Sequence, residues 1–257
     1  MSKVAIITGA TSGIGLATAK LFVANGYKVY GVARRQYAGG DFECFSADVK
    51  DFAAIRDVLK EIYNREGGID VLVNNAGMGI AGAIEEASAE KLKEIIDVNL
   101  TAACVLCSEV APYMRGNGGK IINVSSVGGI MPLPYQAAYS ATKAGMEVFS
   151  RAIANELKPY KIKVCAVLPG DTQTGFTQAR VCEGQNERAK KSVEKMARDE
   201  RRGKSPEAVA KVIFKVAKRK NPPLRVSVGF LSKAEVFLSR FLSVRFLNFI
   251  ISKIYCK

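Results

Sequence analysis

Apolar and polar positions along this chain switch repeatedly between two periods, one suited to strands and one to helices. Residues 3–8 (KVAIIT) form a short β-branched run, a glycine-rich turn follows, and residues 14–25 carry helical periodicity closed by Gly26. Residues 28–33 and 43–47 predict two more strands, 51–65 a helix, and the apolar run 69–73 a fourth strand. Residues 90–114 read as one helix with Pro112 near its end, 120–124 as a strand, 137–157 as a helix stopped before Pro159, and 162–168 as another strand. Ser205 as N-cap and Pro206 at the first helical position open a helix that runs to residue 218, and 224–228 predicts a last strand.

Apolar strands alternating with amphipathic helices indicate an α/β fold. The expected form is a doubly wound parallel sheet (Rossmann fold) of about seven strands with helices on both faces, plus a C-terminal amphipathic helix. No repeat or linker interrupts the pattern, so residues 1–257 read as a single domain. Residues 175–204 are polar and strongly charged, without a core-strand signal, and are expected to make a mobile helical excursion on the substrate side. Residues 230–257 form an apolar and basic helical tail.

Composition narrows the chemistry. The chain is 48% hydrophobic and 24% charged, which suits one soluble domain with a large core. It contains no histidine, so a Ser-His-Asp triad, an HExxH zinc site and any histidine-containing metal cluster are excluded, and no metal site is expected. The six cysteines lie scattered in apolar segments and read as reduced thiols; Cys104 and Cys107 form a CxxC inside an apolar helix, where packing is the expected role. With a core strand beginning at Lys3, no signal peptide is expected and the location is read as cytoplasmic.

Net charge is +14, but residues 1–170 carry 18 basic and 16 acidic side chains while residues 171–257 carry 20 and 8. The basic excess therefore belongs to the last third. A solvated basic surface is the plain reading, with an acidic ligand or an anionic membrane as functional ones; nucleic acid is not expected, because no binding module for it appears.

The candidate chemistry sits in Tyr139-Ser140-Ala141-Thr142-Lys143, with Ser126 upstream at the end of a predicted strand. A Tyr and a Lys at i, i+4 share one helical face, so the ammonium can favour the ionised phenol, and such a trio can move a proton without histidine. Thr8-Gly9-Ala10-Thr11-Ser12-Gly13-Ile14-Gly15 follows the first strand and opens the first helix, where backbone must approach a pyrophosphate.

These motifs, with Asn74-Asn75-Ala76-Gly77, Asn99 and Pro169-Gly170, occur in the order that resembles short-chain dehydrogenases/reductases over nearly the whole chain. Residues 125–134 and the tail resemble the branch holding 17β-hydroxysteroid and retinol dehydrogenases. The resemblance implies an enzyme acting on CH–OH groups with NAD(P) as acceptor. In it Tyr139 is the general acid/base, Ser126 polarises the substrate oxygen, Lys143 depresses the phenol and binds nicotinamide ribose, and Asn99 holds a water in the proton relay. Ser125 is the competing serine. The implied cofactor contacts are Gly9, Thr11, Ser12, Gly13, Ile14 and Gly15 at the turn, and Asp48 and Val49 near the adenine. Asn75, Ala76 and Gly77 follow from the stretch at 74–77 on the adenine-ribose side, joined by Tyr139, Lys143, Pro169, Gly170 and Thr174, with Thr172 as the alternative to Thr174.

NAD-specific relatives place an acid at the end of the second strand, where this chain has Arg34 and Arg35 after Ala33. A guanidinium forks onto a 2′-phosphate, so NADP(H) is the preferred cofactor and NAD(H) the alternative. The apolar tail, interrupted by Lys233, Arg240, Arg245 and Lys253, reads as a lid, a subunit contact or a peripheral membrane contact through 230–257. The expected substrate is a ketone or secondary alcohol, bulky and apolar or amphipathic, such as a steroid, bile acid or lipid ketone. Arg and Lys between 180 and 204 would form a basic rim. A 3-oxoacyl-thioester reductase or general carbonyl reductase is the alternative, and a non-catalytic NADP-binding regulator or membrane-surface protein the reading of another class. A homodimer or homotetramer is implied by resemblance.

Overall fold

The computed structural model describes residues 2–184 and 186–256. It opens with β1 (Val4–Thr8), α1 (Gly13–Val23), β2 (Lys28–Ala33), β3 (Glu43–Ser46), α2 (Phe52–Glu66) and β4 (Val71–Asn74). The middle of the chain holds β5 (Ile80–Ala81), α3 (Ala89–Ile96), α4 (Ala102–Met114), β6 (Gly119–Val124), α5 (Ala137–Glu156) and β7 (Ile162–Leu168). The last third holds α6 (Phe176–Ala179), β8 (Val181–Cys182), α7 (Glu187–Arg201), α8 (Pro206–Lys218), β9 (Arg225–Ser227), α9 (Phe230–Leu238) and α10 (Val244–Tyr255).

Seven strands pair in the order β3-β2-β1-β4-β6-β7-β9, every pair parallel. Alternate side chains serve opposite faces: Ile6, Leu72, Ile121 and Val164 pack under α2, α4 and α5, while Ala5, Ile7, Val73 and Ile122 pack with α1 and α8. Both faces are covered, which is why these strands read as continuous apolar runs. In α2 the buried positions Ile55, Val58, Leu59 and Ile62 form one stripe, Asp51 caps the start by accepting from Ala54 N at 3.0 Å, and Gly67 ends it at φ +73.

Three expectations change. The stretch read as one helix at 90–114 is α3, a π-helical turn at Asp97–Thr101, and α4; the wider turn carries Asn99, and such turns tend to mark functional sites. The segment 175–204, expected as a helical excursion, also contributes β8, which pairs with β5 in a two-stranded ribbon outside the main sheet. The tail is two helices: Ser243 accepts from Phe246 N at 3.3 Å and starts α10 afresh. Residues 89–114 are long and apolar enough to cross a bilayer, but Leu106 and Val110 are buried against the sheet, so the apolarity serves the core.

Candidate active site

The carboxyl ends of β1, β2, β4, β6 and β7 lie along one edge of the sheet, and the strand order reverses beside β1, where open α/β sheets place ligands. At that point Gly9 (φ +67) and Gly15 are forced by close approach: a Cβ on Gly15 would stand 2.2 Å from Gly9 O and 2.5 Å from Asn75 Nδ2. Ser12 is the N-cap of α1, yet its exposed side chain makes no capping bond, so hydroxyl and first-turn N–H groups remain available to an anion. Thr11 and Ile14 flank it, and the Thr174 methyl would meet a Cβ on Gly13 at 3.3 Å. Arg34 and Arg35 are exposed just beyond β2, with no carboxylate in ion-pair contact among the described residues. An uncapped helix start, a turn free of Cβ atoms and two free guanidinium groups fit the phosphates of a dinucleotide.

Several residues expected to touch a cofactor brace the turn instead. Asn75 Nδ2 donates to Thr8 O at 3.0 Å, and the backbone N–H groups of Asn75 and Ala76 both donate to Thr8 Oγ1 at 2.9 Å. Asn74, expected on the adenine-ribose side, is buried and donates to Asn123 Oδ1 at 2.9 Å, inside the sheet. Asp48 accepts from Lys50 N at 2.9 Å with its carboxylate still partly exposed, while the Val49 side chain belongs to the core and leaves only its backbone to face a ligand. Pro169 O accepts from Val127 N at 2.9 Å, Gly170 lies against Ser232, and Thr172 Oγ1 donates to Gly170 O at 2.9 Å.

The proton machinery comes together between β6 and α5. Ser125 is spent: its buried hydroxyl donates to Lys143 O at 2.7 Å. Ser126 Oγ accepts from Gly128 N at 3.0 Å and stands within reach of the Tyr139 phenol. Lys143, buried and without a carboxylate partner among the described residues, donates from Nζ to Val124 O at 2.9 Å. Asn99 is fully buried; Nδ2 donates to Met78 O and Met78 N donates to Oδ1, both at 2.8 Å, and Nδ2 also reaches Thr142 Oγ1 at 3.3 Å. Its two side-chain N–H donors are therefore committed to Met78 O and Thr142 Oγ1. A Cβ on Gly77 would sit 3.2 Å from Asn99 Oδ1 and 3.8 Å from Lys143 Nζ, so Gly77 keeps that pocket open.

Burial, not the Lys–Tyr pairing, sets the charges here. Tyr139 is pushed above the ordinary phenol range by burial; the Ser126 hydrogen bond opposes the rise, Glu200 adds to it and Arg180 opposes it. The expectation that Lys143 depresses the phenol is corrected by geometry. Its stem turns toward β6, its ammonium engages Val124 O, and Nζ stands 5.7 Å from the Tyr139 ring centre. Burial lowers Lys143 to about 8. A phenol held high keeps its proton at neutral pH, which suits a donor to a forming alkoxide.

The segment 175–204, expected on the substrate side, supplies a wall through residues that no motif singled out. Phe176 lies against Tyr139, ring centres 5.7 Å apart, and Arg180 is buried in an ion pair with Glu200, which also accepts from Thr177. No periodicity marks a pair twenty positions apart on two different elements. The expected basic rim is partly neutralised: Lys190 pairs with Glu187, Lys195 with Asp199 and Arg180 with Glu200. Asp171 is pushed up to about 6 by burial, with Glu200, Asp199 and Glu235 adding to the rise.

The family model of short chain dehydrogenases matches residues 3–184. The chain belongs to the short-chain dehydrogenase family. It is thus an oxidoreductase acting on alcohol and ketone groups of small molecules. A 3-ketodihydrosphingosine reductase from Bacteroides thetaiotaomicron is 42% identical over 239 residues, covering 88% of each chain. A short-chain dehydrogenase from Streptomyces avermitilis superposes with a TM-score of 0.86 at 32% identity, over 98% of this chain and 97% of its own. A 3-ketoacyl-(acyl-carrier-protein) reductase from Brucella melitensis, solved with NADH, superposes at 0.74 with 28% identity, over 88% and 97%.

Proposed function

We propose that this short-chain dehydrogenase reduces a long-chain amphipathic ketone, of the amino-ketone type named for its Bacteroides relative, to the secondary alcohol with NADPH. The observation that carries the substrate class is a mostly apolar cavity of about 190 Å³ that reaches the start of α5, with Glu85, Gln136 and Glu183 as its polar lining. It is lined by Ile80, Ala83, Ile84, Leu92 and Tyr135, and by Ala138, the residue before Tyr139. An alkyl chain suits such walls. The carboxylates around Asp171 and the pairing of Arg180 with Glu200 favour a neutral or cationic polar end over an anionic one, which turns the reading away from acyl thioesters and bile-acid carboxylates. The steroid reading has no corresponding feature.

A bound nicotinamide would supply the hydride. The chain's own residues handle the oxygen: the Ser126 hydroxyl donates to the carbonyl oxygen, and Tyr139 delivers the proton as the alkoxide forms. The phenolate left behind is stabilised by the field of Arg180. Lys143, charged below about pH 8, adds a second cation one turn away. Gly9, Ser12 and the start of α1 would hold the pyrophosphate, and Arg34 the 2′-phosphate.

Oxidation of NADPH and NADH should be followed with a long-chain 2-amino-3-ketone, steroid ketones and acyl-thioester ketones. The amino-ketone with NADPH is expected to give the highest kcat/KM; turnover confined to a steroid or a thioester would overturn the substrate reading. Arg34→Asp is expected to weaken NADPH binding by about tenfold or more, equivalent to losing one charge-assisted phosphate contact, while NADH binding changes little. Equal losses for both cofactors would remove Arg34 from the 2′-phosphate.

A further inference from the structure

Among the described residues fifteen large hydrophobic side chains are exposed, and nine of them lie in α9, α10 and the turn between. Phe230 is 82% exposed, Leu231 75%, Phe241 72% and Val244 75%, with Phe246 and Phe249 also in solvent. So concentrated an apolar surface on one corner requires a partner. Interleaved with it are Lys233, Arg240, Arg245 and Lys253, all exposed, against one acid, Glu235, which stands within electrostatic reach of Asp171 and Tyr255.

A second feature says what the partner carries. Between β9 and α9 lies a cavity of about 190 Å³ lined by Arg225, Ser227, Lys233, Val236, Phe237 and Arg240. Three of its six lining residues are cationic, and only Arg225 has an acidic partner there, Glu147 at 3.3 Å. A phosphate-sized anion fits such a lining, and the apolar side chains beside it fit the acyl boundary of a bilayer. With 9 and 12 residues, α9 and α10 are too short to span hydrocarbon, which needs about 20 residues, so any bilayer contact they make runs along its surface. A second copy of the chain is the poorer fit, because it would bring the same cations face to face.

From these observations we infer that α9 and α10 form a docking surface for an anionic phospholipid bilayer, with a lipid phosphate seated between Arg225, Lys233 and Arg240. The surface connects to the catalytic loop: Val236 of α9 packs with Val127, Ile130 and Met131, and Ser232 lies against Gly170. Docking therefore brings the site to the lipid phase, where a long-chain ketone resides. The apolar and cationic surface would bind lipid whatever ketone the site reduces.

The test uses the full chain without ketone or cofactor. The sequence holds no tryptophan, so Phe241→Trp supplies a single emission reporter. With vesicles of equal parts phosphatidylcholine and phosphatidylglycerol, emission should shift to the blue and the protein should co-sediment about tenfold or more tightly than with phosphatidylcholine alone. Phe241→Glu combined with Val244→Glu should abolish sedimentation while keeping the wild-type Tm, since both positions are exposed. Lys233→Gln with Arg240→Gln should remove the preference for anionic lipid. Unchanged emission and equal sedimentation on the two vesicles would overturn the inference. So would a blue shift that grows with protein concentration in the absence of lipid, which would identify a second copy as the partner.

Discussion

Tyr139→Phe is expected to lower kcat for ketone reduction by about 10³-fold, within the range a positioned general acid contributes, while dinucleotide affinity stays within about twofold. The substitution removes one oxygen and keeps the ring that lies against Phe176, so the wall of the site survives. What is lost is the proton that burial holds on the phenol at neutral pH, and the hydrogen-bond partner of Ser126. Steady-state rates and fluorescence titration of the reduced dinucleotide separate the two effects. A variant retaining a tenth of wild-type turnover would place the proton donor elsewhere.

The second large effect is expected at Lys143, and it runs in opposite directions for activity and stability. Lys143→Met should reduce turnover by about 10²-fold or more, since the site loses its buried cation. The ligand-free protein should nonetheless melt no lower than wild type at pH 7. Burial lowers the lysine from 10.5 to about 8, a shift worth about 3 kcal/mol against the charged form. That penalty is offset in part by the Nζ to Val124 O bond, whose loss leaves a carbonyl unsatisfied at a cost of about 1–3 kcal/mol. The sign with pH follows from proton binding. Between about pH 8 and 10.5 the unfolded chain holds a proton that the folded chain has released, so wild-type stability gains as pH rises through that window. The variant's advantage should therefore be largest below pH 8 and vanish near 10.5. Melting curves of both proteins from pH 7 to 10.5 check this; a variant less stable than wild type by the same margin throughout would show that the buried charge costs nothing.

Such a lysine is a case of local pattern and tertiary environment giving different answers. The i, i+4 spacing correctly places Tyr139 and Lys143 one turn apart on α5, because helical geometry depends only on neighbours in the chain. It does not say which way a four-carbon stem bends, and the carbonyl that claims Nζ belongs to β6, nineteen positions upstream. The two serines show the same division. Spacing to Tyr139 favours Ser126, but only the fold shows where its rival goes: the Ser125 hydroxyl donates to the backbone of α5, and Ser126 is left beside the phenol.

The seven-stranded sheet and its covering helices were legible because apolar periodicity is a record of which faces are buried, and the central strands β1, β4, β6 and β7 are buried on both. The glycine turn was legible for a related reason: only glycine tolerates the 2.2 Å approach at Gly15, and only a strand before and a helix after it create that approach. Ser126, Tyr139, Lys143 and Asn99 could be named from motif order alone. The tertiary structure alone decided that Asn99 sits in a π-helical turn clamping Met78, that Arg180 is buried against Glu200 instead of lining a basic rim, and that the tail is two helices with their apolar side chains in solvent. Each of these depends on partners from distant parts of the chain. Burial and charge are set by what folding brings alongside, and no window of sequence around a residue contains that.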